Sequence, residues 1–269
     1  MNALHIKHWS CVVLIAVMCA STVSGGNSKL VNGWSFDVMV TADIQDAKAD
    51  DGLDKLFGKR EQNEAGEWRV LDQPRPGIVD ADLKRLSPLT QLESLSLAFS
   101  KKVTDDGLVH LKPLVQLKHL NLGGCRLVTD AGLKHLSPKK TLEMLNLSMT
   151  QVSDKGAELL PEFPNLRHLD LDDTSVTDEA LLAIAKLTKL EYLRLAELPL
   201  SDHGLKRLVA LEKLTALVLD GVPITDASLE TIASLKGLTR VSLKSTRISP
   251  AGVEMLRRRN PRMQVIYVE

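Results

Sequence analysis

Three side chains with chemistry of their own alternate along one short stretch, His168, Asp170 and Asp172, with Asp173 directly after them. Alternate residues of a strand project from the same face about 6.6 to 6.8 Å apart, so two such carboxylates could hold a cation only with help from water. Asp220 stands at the register of Asp172, 48 residues later. Arg194 falls beside Asp170 in the same register and is placed to neutralise its charge, so no metal ligands are assigned. Other routes to catalysis are missing: the sequence holds no G-x-S-x-G, no H-E-x-x-H, no Gly-rich phosphate loop and no cysteine pair of metal spacing. Cys125 lies in a turn packed beneath a strand, which implies a buried and inert thiol. Gly123 and Gly124 read as a turn. Arg257, Arg258, Arg259 and Arg262 gather where a final helix ends, and cations there complement the helix dipole while staying solvated. Neither a catalytic residue nor a cofactor follows from these patterns.

Composition narrows the classes further. With 34 Lys and Arg against 34 Asp and Glu, the chain lacks the basic excess that nucleic-acid backbones require. Its 44% hydrophobic content supports a core, whereas 3% aromatic content is sparse for an enzyme pocket. Residues 11–20 (CVVLIAVMCA) form an apolar run behind Lys7, and small residues follow at Ala20, Ser21, Ser24, Gly25 and Gly26, the pattern of a secretory signal peptide over residues 1–25. Ten apolar residues are about half of the ~20 needed to span a bilayer, so stable membrane insertion is not expected. Met18 before Cys19 argues against a lipid anchor. Cleavage would leave 33 basic and 34 acidic residues and Cys125 alone, hence no intramolecular disulfide. An exported periplasmic or extracellular product is expected, held together by its core.

The core is written as a repeat. The string L-x-x-L-x-L starts at Leu92, Leu117, Leu142, Leu166, Leu190, Leu214 and Leu238, and 20 of its 21 apolar slots are Leu, the exception being Val241. A terminal copy is read as Met263, Ile266 and Val268. Within each copy, alternation sends residues such as Leu120 and Leu122 inward and His119 and Asn121 outward. An aliphatic residue and then a hydroxyl follow: Thr104, Thr129, Ser153, Thr177, Ser201, Thr225 and Ser249, placed as helix N-caps. Asp comes next in six copies and Pro250 in the seventh, as suits a first helical residue near the positive end of the helix dipole. Spacing by three and four then marks a short helix. No single unit can bury its leucines, so the copies must stack.

This string and period resemble the leucine-rich repeat family over residues 78–269, in the short-repeat form of secreted bacterial members. The resemblance implies an α/β fold: an open horseshoe solenoid with a parallel sheet on its concave face, short helices on its convex face, seven full repeats and a terminal strand. Residues 26–77, with an amphipathic helix over Thr41 to Phe57 and a strand near Trp68, are read as an N-terminal cap and degenerate first repeat. The usual Asn after L-x-L-x-x is replaced by Ser100, Cys125, Thr150, Thr174, Leu198, Val222 and Thr246. The V-T-D-x-G-L phrase and Cys125 also resemble, more loosely, the cysteine-containing repeats of F-box substrate receptors in ubiquitin ligases.

On a parallel sheet the outward residues form columns about 4.8 Å per step. One runs Ser94, His119, Met144, His168, Tyr192, Ala216, Arg240, Val265, and its neighbour Ser96, Asn121, Asn146, Asp170, Arg194, Val218, Ser242, Tyr267. His119, Asn121, Met144, Asn146, His168, Asp170, Tyr192 and Arg194 at the centre have the composition of a recognition surface. The expectation is a non-enzymatic scaffold binding a protein or peptide ligand there, with a ligase-type adaptor as the alternative. The final strand, Met263 to Glu269, is expected to leave an unpaired edge with Val265 and Tyr267 outward, open to homodimer pairing.

Overall fold

The computed structural model describes residues 52–136 and 139–268. Its ten strands form one open sheet in strict chain order: β1 (Phe57–Gln62), β2 (Trp68–Pro74), β3 (Ser94–Ser96), β4 (His119–Asn121), β5 (Met144–Asn146), β6 (His168–Asp170), β7 (Tyr192–Arg194), β8 (Ala216–Val218), β9 (Arg240–Ser242) and β10 (Gln264–Ile266). β1 and β2 are an antiparallel hairpin, and every later neighbour pairs in parallel. Eight parallel solenoid strands with short α and 3-10 helices behind them are the leucine-rich repeat architecture that the sequence implies. Leu95, Leu120, Leu145, Leu169, Leu193, Leu217 and Val241 stack at one register, all buried in a single core that runs from Leu53 to Val265. The proposed signal peptide and most of the proposed Thr41 to Phe57 helix lie outside the described residues. What is described of that helix is one 3-10 turn, Leu53–Lys55, and Phe57 already opens β1.

All seven hydroxyls cap a backbone N–H two or three residues ahead, as their register requires. The Asp after each of the first six hydroxyl caps, and Asp80 after Val79, has a further partner that dipole reasoning does not supply. Its carboxylate reaches into the next repeat and accepts both the backbone N–H and the hydroxyl of that repeat's cap. The series runs Asp80 to Thr104, Asp105 to Thr129, Asp130 to Ser153, Asp154 to Thr177, Asp178 to Ser201, Asp202 to Thr225 and Asp226 to Ser249. Each arriving carboxylate needs room beside the third residue after the cap. In most copies that residue is glycine: a Cβ on Gly204, for instance, would collide with the Asp178 carboxylate. The two described copies that carry Ala180 and Ser228 instead begin their first turn differently. One helix starts only at Ala180, and the other opens with the 3-10 turn Asp226–Ser228.

The slot left without its customary Asn is filled in more than one way, locally by the threonines and across to the preceding repeat by Cys125. Thr150, Thr174 and Thr246 each donate their hydroxyl to the carbonyl three residues back, and the Cys125 thiol donates to the Leu97 carbonyl at 3.1 Å. Burial pushes that thiol up to about 12, so it stays protonated and inert, as its place in the turn implies.

The terminal copy corrects the sequence register. Val265 pairs with Val241 and is buried, while Gln264 pairs with the exposed Arg240. Tyr267 packs against the core and donates its hydroxyl to the Ile248 carbonyl at 3.0 Å. The core slots are therefore Met263, Val265 and Tyr267, one residue tighter than in other copies. The outward residues are Gln264 and Ile266, not Val265 and Tyr267.

Candidate functional site

The concave face is the outward side of β3 to β10, and its two columns differ in exposure. In the first, Ser94, His119, Met144, His168 and Tyr192 are half-buried, Ala216 is buried, and Arg240 and Gln264 are exposed. The second is more covered: Ser96, Asn121, Asn146, Val218 and Ser242 are buried, and Asp170 and Arg194 nearly so. Three of its polar members fold back onto their own strand ends. Asn121 accepts the Gly123 N–H at 2.9 Å, Asn146 accepts the N–H and hydroxyl of Ser148, and Asp170 accepts the Asp172 N–H at 3.0 Å. A short polar side chain that satisfies the residue two ahead closes the turn after the strand.

Arg194 gathers the centre. Its Nε lies 2.8 Å from Asp172 Oδ2 and 3.3 Å from Asp170 Oδ2, its Nη2 also meets Asp172, and its Nη1 donates to the Tyr192 hydroxyl at 3.4 Å. The second Asp172 oxygen accepts the Ala196 N–H at 2.7 Å. On its other side Tyr192 meets the His168 ring edge to face, centroids 5.9 Å apart and planes at 84°. Arg194 thus holds both carboxylates, and among the described residues no group of three His, Cys, Asp or Glu is placed to bind a metal. The alternating carboxylates form an ion network around a guanidinium, in line with the neutralising role that its position in the sequence implies.

Burial lowers the pKa of His119 and of His168, leaving both imidazoles neutral at neutral pH. Asp170 moves the other way, up to about 7, because burial and the charge of Asp172 outweigh the attraction of Arg194. Along the strand starts lies an outer row of charge, in which Arg69 and Lys118 flank Glu93, and Arg167 meets Glu191.

The raised Asp170 value makes a testable pH dependence. Its folded pKa exceeds that of the unfolded chain, so its stabilisation is complete below the ordinary carboxylate pKa and is lost as pH rises through about 7. The lowered histidines act with the opposite sign and are common to both proteins in the comparison. Asp170→Asn restores the residue type found at 121 and 146 and keeps an acceptor for the Asp172 N–H. Relative to wild type, the variant should gain about 1 to 3 kcal/mol between pH 5 and pH 8 in urea denaturation. Parallel pH profiles would show that Asp170 does not titrate in this range.

Fold and repeat together have the leucine-rich repeat architecture. The sequence model described as Leucine Rich repeat matches residues 116–137, 139–160 and 164–185. Among solved structures, the chain is similar to internalin C2 from Listeria monocytogenes, with 27% identity and a TM-score of 0.54 over 71% of this chain and 84% of that one. A leucine-rich repeat protein of Leptospira interrogans gives 24% identity and a TM-score of 0.49, covering 73% of this chain and 54% of its own. An internalin (inlF) of L. monocytogenes gives 19% and 0.45, covering 69% and 63%. No curated protein matches the chain.

Proposed function

We propose that this protein is a non-enzymatic, exported scaffold that binds a protein or peptide ligand on its concave face. The carrying observation is the fixed position of Tyr192, held between the His168 ring and the Arg194 guanidinium on a sheet whose strands cannot shift independently. An aromatic side chain already restrained in the free protein loses little further freedom on binding, which is what makes such residues dominant contacts. Met144 and His119 extend the half-buried column, and Asn121, Asn146 and Asp170 form the floor beside it. Similarity to a bacterial internalin supports a binding role, by analogy of fold. Export rests on the pattern of residues 1–25, which lie outside the described residues; among those described, no helix is long and apolar enough to cross a membrane.

The test is affinity capture from the native exported fraction, with the same recovered proteins quantified on each variant. Tyr192→Ala should weaken capture by at least ~2 kcal/mol while the variant remains folded with a cooperative melting transition, and Lys206→Ala, on the helix side, should have no effect. A partner held equally by all three proteins would place the interface off the concave centre.

A further inference from the structure

One residue in each turn after the strand adopts a left-handed backbone. The series is Gln73, Phe99, Gly124, Met149, Asp173, Glu197, Gly221 and Ser245, with φ between 51° and 77°. Glycine, Asn and Asp tolerate this conformation, whereas a Phe or Met there is strained. Phe99 and Met149 nevertheless occupy it, and both are exposed, at 46% and 37%. The strain is locked in by the ladder of turns, in which Phe99 N–H donates to the Gly123 carbonyl and Met149 N–H to that of Asp172. Gly124 provides a seat for the first of them: a side chain there would run into the Phe99 ring. Farther along the same ridge the character changes, since Asp173 and Glu197 are exposed and Glu197 lies over Gly221 in the same manner.

Neither core packing nor turn chemistry asks for two exposed apolar side chains in left-handed positions. With rungs about 4.8 Å apart, Phe99 to Glu197 spans about 19 Å, the reach of about six extended residues. We infer that this ridge docks an extended segment of a partner protein that bears a bulky apolar side chain followed, about three to five residues away, by Lys or Arg. The apolar residue covers Phe99 and Met149, and the cation meets Asp173 and Glu197. This inference rests on the protein-binding reading above and adds a second contact line, with a stated ligand chemistry, at the rim of the sheet.

Random heptapeptides displayed on phage provide the probe, selected against the full chain. Enriched peptides should combine an apolar residue with a basic one. The double variant Phe99→Asn, Met149→Asn should weaken them at least tenfold while raising the melting temperature by ~2 °C or more, because Asn relieves the backbone. Asp173→Asn with Glu197→Gln should weaken them comparably and remove most of their salt dependence. A lower melting temperature in the first variant would make Phe99 and Met149 structural and overturn the inference. Peptides lost with Tyr192→Ala but indifferent to the ridge would leave the concave proposal standing and refute this one. No enrichment at all, or self-association of wild type abolished by the first variant, would refute it also.

Discussion

Asp154→Ala is expected to lower stability by about 2 to 4 kcal/mol, far beyond what its place in the first turn of a helix would cost. A dipole contribution alone is roughly 0.3 to 1 kcal/mol. The structure assigns Asp154 three further partners in the next repeat: its Oδ1 accepts the Thr177 N–H at 2.7 Å and the Ala180 N–H at 3.2 Å, and its Oδ2 accepts the Thr177 hydroxyl at 2.7 Å. Removing the carboxylate strands partly buried donors as well as forfeiting charge-assisted bonds. In a solenoid that loss falls on one interface between neighbours, so unfolding should also become less cooperative, with a shallower urea dependence. Asp154→Asn keeps one acceptor oxygen and should cost less than half as much. A loss below ~0.5 kcal/mol for the alanine variant would mean that the carboxylate serves only its own helix.

Leu169→Ala should cost a comparable ~2 to 5 kcal/mol by a different route. Leu169 is buried between Leu145 and Leu193 on the adjacent strands, so truncation opens a cavity against both. Its flanking strands are pinned by their own ladders, which limits collapse into the space. Lys206→Ala, exposed on the opposite side, should change stability by less than about 0.5 kcal/mol. Denaturation midpoints measured side by side decide the matter, and equal midpoints would contradict the stacking register.

The leucine string made the strands, their order and their inward residues legible, because burial on one face imposes a strict alternation that a solenoid repeats. The same logic fails at the last copy. Val265, Ile266, Tyr267 and Val268 are all apolar, so alternation fits two registers equally, and only pairing with β9 selects Val265 for the core. The concave columns were readable from spacing alone, but their coverage was not. Asn121 and Asn146 satisfy neighbouring backbone, a contact that depends on how the chain turns after the strand. Lys139 illustrates a third limit. It lies three residues before its leucine string, at the register of Leu114, is buried, and donates to the Leu114 carbonyl at 2.8 Å. Burial lowers its pKa to about 8, and no hydrophobic pattern would place a lysine there. Phe99 and Met149 were silent for a related reason: a left-handed backbone leaves no mark when the residue that adopts it is neither Gly nor Asn.

The carboxylate series has a grammar with a direction. Every repeat from Asp80 onward extends a hand toward its successor, and the final copy replaces that hand with Pro250, which has none to offer. Duplicating an internal repeat therefore yields a copy that fits on both sides at once, whereas a copy appended after Pro250 meets no acceptor. Internal repeats are in this sense interchangeable modules, whereas the copy that carries Pro250 can receive a neighbour's carboxylate but cannot pass one on.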